Sequence, residues 1–145
     1  MKKISLILAF VIVATFTLSA CMPGGTSLKG TTWELTSYGP EASPTAALPD
    51  VDATITFQDD GTVTGNLGCN SLTGEYQVSG SKVTMQVAST MMACEEARMT
   101  QEGSAFGVLA DISEYSIKDK TLTLKGANGE VLIFTQVDTE TIDNN

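Results

Sequence analysis

Between Thr31 and Val137 the apolar residues recur mainly at every second position, broken by short clusters of Gly, Asp, Asn and Ser. Trp33 and Leu35 alternate with Thr32, Glu34 and Thr36, which predicts a half-buried strand over 31–38. Ala53, Ile55 and Phe57 predict a second over 52–58. Val63, Gly65 and Leu67 predict a third over 62–67, where the glycine marks a bend or a close backbone approach. Tyr76 and Val78 are the inward candidates of a fourth over 72–78. Val83, Met85 and Val87 give the cleanest alternation, over 82–88. Tyr115 and Ile117, then Leu122 and Leu124, mark two more over 114–118 and 121–125. The last, 130–137, holds Val131-Leu132-Ile133-Phe134, apolar on both faces and therefore central or covered by a helix.

One stretch changes period. Met99, Ala105, Phe106, Leu109 and Ile112 follow helical spacing after Glu95 and Glu96, whose charges complement a helix start. Gly103 and Gly107 lie four apart within it and are read as letting the helix lie close on a sheet. Asp59-Asp60-Gly61, Ser79-Gly80-Ser81, Asp119-Lys120 and Gly126-Ala127-Asn128-Gly129 are turn chemistry, so the strands pair as antiparallel hairpins. Gly39–Asp50, with three prolines, reads as an exposed loop. The expected fold is mainly β (α+β): a curled antiparallel sheet or incomplete barrel of about eight short strands, with one helix packed on it.

The first 20 residues stand apart. Met1-Lys2-Lys3, an apolar run from Ile4 to Leu18, and Leu18-Ser19-Ala20-Cys21 have the build of a secretory signal peptide, too short in its apolar run to span a bilayer. Leu-Ser-Ala-Cys resembles the bacterial lipobox, which implies acylation of Cys21 and a chain anchored to a membrane rather than crossing it. Met22 follows Cys21. In a two-membrane bacterium that resemblance favours the outer membrane over the inner. Residues 21–27 read as a lipid-anchored tether reaching about 20 Å, residues 28–137 as one domain, and 138–145 as a flexible tail.

Composition narrows the chemistry. The formal net charge of the 145 residues is −9, and loss of Lys2 and Lys3 makes it two units more negative. Such a surface argues against nucleic acid. There is no histidine, which removes imidazole bases and imidazole metal ligands. Three cysteines in an exported chain read as Cys21 for lipid and a Cys69–Cys94 disulfide. A redox-active dithiol is the alternative, but Glu95 and Glu96 oppose thiolate formation and no Cys-x-x-Cys is present. Met85, Met91, Met92 and Met99 flank Cys94, and thioethers suit Cu(I). Against that, Met85 and Met99 occupy predicted core positions, leaving Met91 and Met92. Asp59-Asp60-Gly61 lacks the spacing of a calcium loop. Asn70 reads as a corner residue, Trp33 as core, and Glu102 as a partner for a nearby backbone donor or for one of the six basic residues of the mature chain. No phosphate-binding loop is present, and the residues call for no cofactor.

Gly30-x-x-Trp33-x-Leu35, Ile55-x-Phe57, Gly61-x-Val63-x-Gly65, Gly68-Cys69-Asn70, Gly74-x-Tyr76, Thr90-Met91-Met92-Ala93-Cys94, Glu102, Phe106, Leu109 and Tyr115 stand in an order that resembles the META/HslJ family of small bacterial envelope domains. The resemblance runs from about Leu28 to Gln136. It implies a barrel-like β fold with one helix and an association with heat-shock or antibiotic-stress phenotypes, and it brings no catalytic residues. The expected function is that of a non-enzymatic, lipid-anchored envelope protein binding another protein or an apolar ligand. Asn70, Thr90, Met91 and Met92 form the candidate interaction loop, with 39–50 as a second. Thiol redox work at Cys69 and Cys94, or soft-metal binding, are the alternatives.

Overall fold

A computed structural model describes residues 27–138. The signal segment, Cys21, most of the tether and all but the first residue of the tail lie outside the described residues. Nine strands and one helix follow in the order β1 (Thr31–Pro40), β2 (Thr45–Ala46), β3 (Thr54–Phe57), β4 (Thr62–Asn66), β5 (Ser71–Ser79), β6 (Lys82–Ser89), α1 (Glu96–Ala110), β7 (Ile112–Lys118), β8 (Thr121–Gly126) and β9 (Glu130–Val137). Every pairing is antiparallel, as hairpin turns require.

The sheet closes. β1 pairs with β3 along Thr31–Glu34 and with β9 from Thr32 to Pro40, so eight strands form a complete antiparallel barrel with β2 as a ninth at the end of β1. A β-bulge between Leu35 and Ser37 bends β1 and lets its far half take β2 at Ser37 and Tyr38 while β9 stays on its other side. Closure removes the exposed edges that an open sheet presents. The loosest seam lies between β6 and β7, paired at Lys82 and Glu114 and by the Tyr115 N–H donating to the Ser81 carbonyl at 2.9 Å, with α1 standing in the chain between the two strands.

The alternating faces meet inside. Trp33, Ile55, Phe57, Leu122, Leu124, Leu132 and Phe134 are fully buried, and Phe57 meets Tyr76 edge-on with ring centres 4.9 Å apart. The Trp33 indole N–H donates to Thr31 Oγ1 at 2.7 Å, so its burial leaves no unmet donor. Trp33 is thus core.

Four sequence expectations are corrected. The 39–50 loop contains the short strand β2. Val78 lies at the rim of the barrel and is exposed, because no strand crosses the mouth to cover it. The buried face of α1 is Gln101, Ala105, Val108 and Leu109, and Ile112 already belongs to β7. Ala105 and Leu109 of the expected stripe are buried and Phe106 packs on the core, but the face is turned away from Met99, which is 47% exposed. A polar residue, Gln101, concealed the true face. Gly103 and Gly107 accordingly point away from the sheet, with nothing within 4 Å of a Cβ at either position.

Two ends of the barrel are chemically distinct. The chain enters at the end that carries the turns after β3, β5 and β7, and β9 finishes there. At the opposite end lie the long β1–β3 connection, the β4–β5 corner, the β6–α1 loop and α1 itself. Gln101 fixes the helix there. Its side-chain amide donates to the Leu67 carbonyl at 2.9 Å and accepts from the Leu48 N–H at 2.7 Å.

Candidate functional site

The candidate interaction loop sits at the helix end of the barrel. Three segments meet: the Gly68-Cys69-Asn70 corner between β4 and β5, the loop after β6, and one face of α1. Gly68 is needed because a Cβ there would stand 2.8 Å from the Arg98 carbonyl oxygen of the helix. With glycine in place, the corner slides under α1. Cys69 and Cys94 are disulfide-bonded, with Cα atoms 6.1 Å apart and a sequence separation of 25.

Polar bonds then lock the three segments together. The Glu102 carboxylate accepts from the Cys69 N–H at 2.8 Å, from the Asn70 N–H, and from Asn70 Nδ2 at 2.6 Å. Burial alone would push this carboxyl up, but the bonds from Asn70 and Cys69 outweigh it and hold Glu102 below the ordinary glutamate range. Asn70 Oδ1 accepts from Thr90 Oγ1 at 2.9 Å and from the Met92 N–H at 2.7 Å. Thr90 N–H donates to the Ser71 carbonyl at 3.0 Å, extending the β5–β6 pairing into the loop. No buried side-chain polar atom among the described residues lacks a partner.

The four residues of the loop therefore divide. Asn70 is 5% exposed and all its side-chain groups face inward. It is a clamp between corner, loop and helix, reaching well beyond its own turn. Thr90 is tied to it. Met91 and Met92 project from the clamped backbone, 98% and 60% exposed. Together with Met99 they line a surface depression of about 340 Å³, floored by Asn70 and Glu102. Sequence reasoning considered these methionines together but placed Met99 in the core and so set the grouping aside. It also missed Gln101, whose only signal was a polar residue four before Ala105 and seven before Val108.

A larger cleft of about 520 Å³ opens at the other end, where the chain enters. Leu28, Lys29, Asp59, Asp60, Val78 and Tyr115 are among its walls. No cluster of three or more His, Cys, Asp or Glu side chains capable of holding a metal occurs among the described residues.

The corner, clasp and helix acid are the residues that carried the family resemblance, and the META domain profile matches residues 26–139. The chain belongs to the META domain family. No curated protein matches it significantly. Among solved structures, this META domain is similar to a protein from Burkholderia xenovorans determined by NMR, with a TM-score of 0.68, 22% identity, and coverage of 78% of this chain and 85% of that one. It is also similar to a DUF4847 family protein from Bacteroides vulgatus, with a TM-score of 0.60, 16% identity, and coverage of 77% and 95%. A third NMR structure aligns with a TM-score of 0.57 at 20% identity, covering 73% of this chain and 88% of that one. At these identities the likeness establishes the barrel fold. META domains are not known as enzymes.

Proposed function

We propose that this META domain is a non-enzymatic, lipid-anchored protein of the bacterial cell envelope that acts in stress tolerance by docking another envelope protein. Cys21 carries the lipid, and the outer membrane is its site where the host has two membranes. The observation that carries the reading is the clamped loop. Met91 and Met92 are held out into solvent by a disulfide, an asparagine and a carboxylate, at the barrel end opposite to the one where the tether leaves. Exposed apolar groups on a pre-ordered backbone lose little entropy when they are covered. Methionine in such a place adapts to the shape of a partner.

The interior favours a surface partner over an apolar ligand, because the barrel is filled by its own side chains from Trp33 to Phe134. The partner's complementary face is apolar at its centre and basic at its rim, to match the acid surface of this domain. A photo-crosslinking side chain placed at Met91 in intact cells should yield one defined adduct, and the same group at Ser116, on the barrel wall, should not. Equal capture from both positions, or none from Met91, refutes the reading. Intact mass of the exported protein checks the lipid on Cys21.

A further inference from the structure

The geometry points to a soft-metal site: Met91, Met92 and Met99 together bind one monovalent soft cation, Cu(I) or Ag(I), through their thioether sulfurs. Three of the four methionines between residues 27 and 138 line the same depression, and the fourth, Met85, lies half-buried on β6. Two come from the loop and one from the first two turns of α1. Only the tertiary fold, which turns Met99 outward, brings them together.

The chemistry of the depression selects the ion. Thioethers are neutral, soft ligands that favour Cu(I) over hard divalent ions. Apart from the methionines, the lining is Asn70, Ser89, Thr90, Ala93 and Glu102. The Glu102 carboxylate already accepts three hydrogen bonds, and Asn70 is spent on the clamp, so the oxygen donors of the floor are committed. No lysine or arginine lines the depression to repel a cation. Cys69 and Cys94 are joined to each other, so thioethers are the sulfur ligands on offer. Glu95 and Glu96 begin the adjoining helix and add an attractive field for a positive ion. The loop backbone is fixed, while each methionine keeps three rotatable bonds with which to turn its sulfur inward.

Leucine keeps the apolar area of a docking face but removes the thioether sulfurs, and this separates the site from the docking reading. The disulfide-intact mature protein is titrated anaerobically with Cu(I) in competition with a chromophoric Cu(I) chelator. One equivalent per chain should be withdrawn from the chelator. M91L/M92L/M99L should weaken binding at least tenfold, and M85L should leave it unchanged. Titration with Ag(I), which needs no reductant, should shift three of the methionine methyl carbon signals of the 13C-labelled protein and spare that of Met85. Failure to compete for Cu(I), or a triple leucine variant that competes as well as the parent, overturns the site. Because leucine keeps the apolar surface, crosslinking from the exposed Ala93 in the triple variant reports on docking independently of the metal.

Discussion

The Glu102 carboxylate is the most informative point at which to perturb the fold. Glu102→Ala removes the acceptor for three donors: the Cys69 N–H, the Asn70 N–H and Asn70 Nδ2. A hydrogen bond to a charged group contributes about 1.5–3 kcal/mol. The site is only half-buried, so water replaces part of each loss, and about 1 kcal/mol per bond is the fitting share. The expected destabilisation is about 3 kcal/mol, a fall in Tm of about 10 °C for a domain of this size. Glu102→Gln keeps one acceptor oxygen but presents an NH2 group to the donors, so about half that loss is expected. Urea unfolding at constant disulfide state measures both. The sign of the pH dependence is fixed by the lowered pKa of Glu102, set by burial opposed and exceeded by the bonds from Asn70 and Cys69. A carboxyl with a lower pKa folded than unfolded stabilises fully above its unfolded value, about 4.3. That contribution fades as the pH falls through the folded value. The gap between parent and Glu102→Ala should therefore be constant near neutrality and shrink in acid. A gap under about 0.5 kcal/mol at pH 7, or one unchanged in acid, would refute the clamp.

Gly74→Ala would place a Cβ 2.1 Å from the Gln86 carbonyl oxygen, and Gly65→Ala would do the same against Thr54, so each should unfold at markedly lower urea than the parent. Gly103→Ala meets nothing within 4 Å and should stabilise by about 1 kcal/mol in the same assay. The double change Cys69→Ser and Cys94→Ser opens a loop spanning 25 residues and should cost about 3 kcal/mol. Gln101→Ala leaves the Leu48 N–H and the Leu67 carbonyl unpaired beside a new void, and thermal unfolding should show a loss of about 3 kcal/mol.

The strands were legible in the sequence because a barrel strand has one wet and one dry face, and that contrast repeats every two residues. Trp33, Leu35, Ile55, Phe57, Val63, Leu122 and Leu124 declare it without help from any neighbour. The cysteine pair was legible too, since Cys69 and Cys94 were the two cysteines within the expected domain. Hairpin turns told which strands pair in sequence, but not that β1 would meet β9, because that contact joins the ends of the domain and no local signal spans it. The same limit hid the helix face. Gln101 is buried only because two backbone groups from distant segments wait for it, so the pattern found Ala105 and Leu109 but put Met99 inward in place of Gln101. Gly68 could be seen, but not the helix carbonyl that forbids a side chain there. What the chain wrote in its own order was alternation, turns and sulfur. What three dimensions decided was closure, the clamp at Asn70 and Glu102, and the gathering of three exposed methionines on one face, because each depends on groups tens of residues apart meeting within bonding distance.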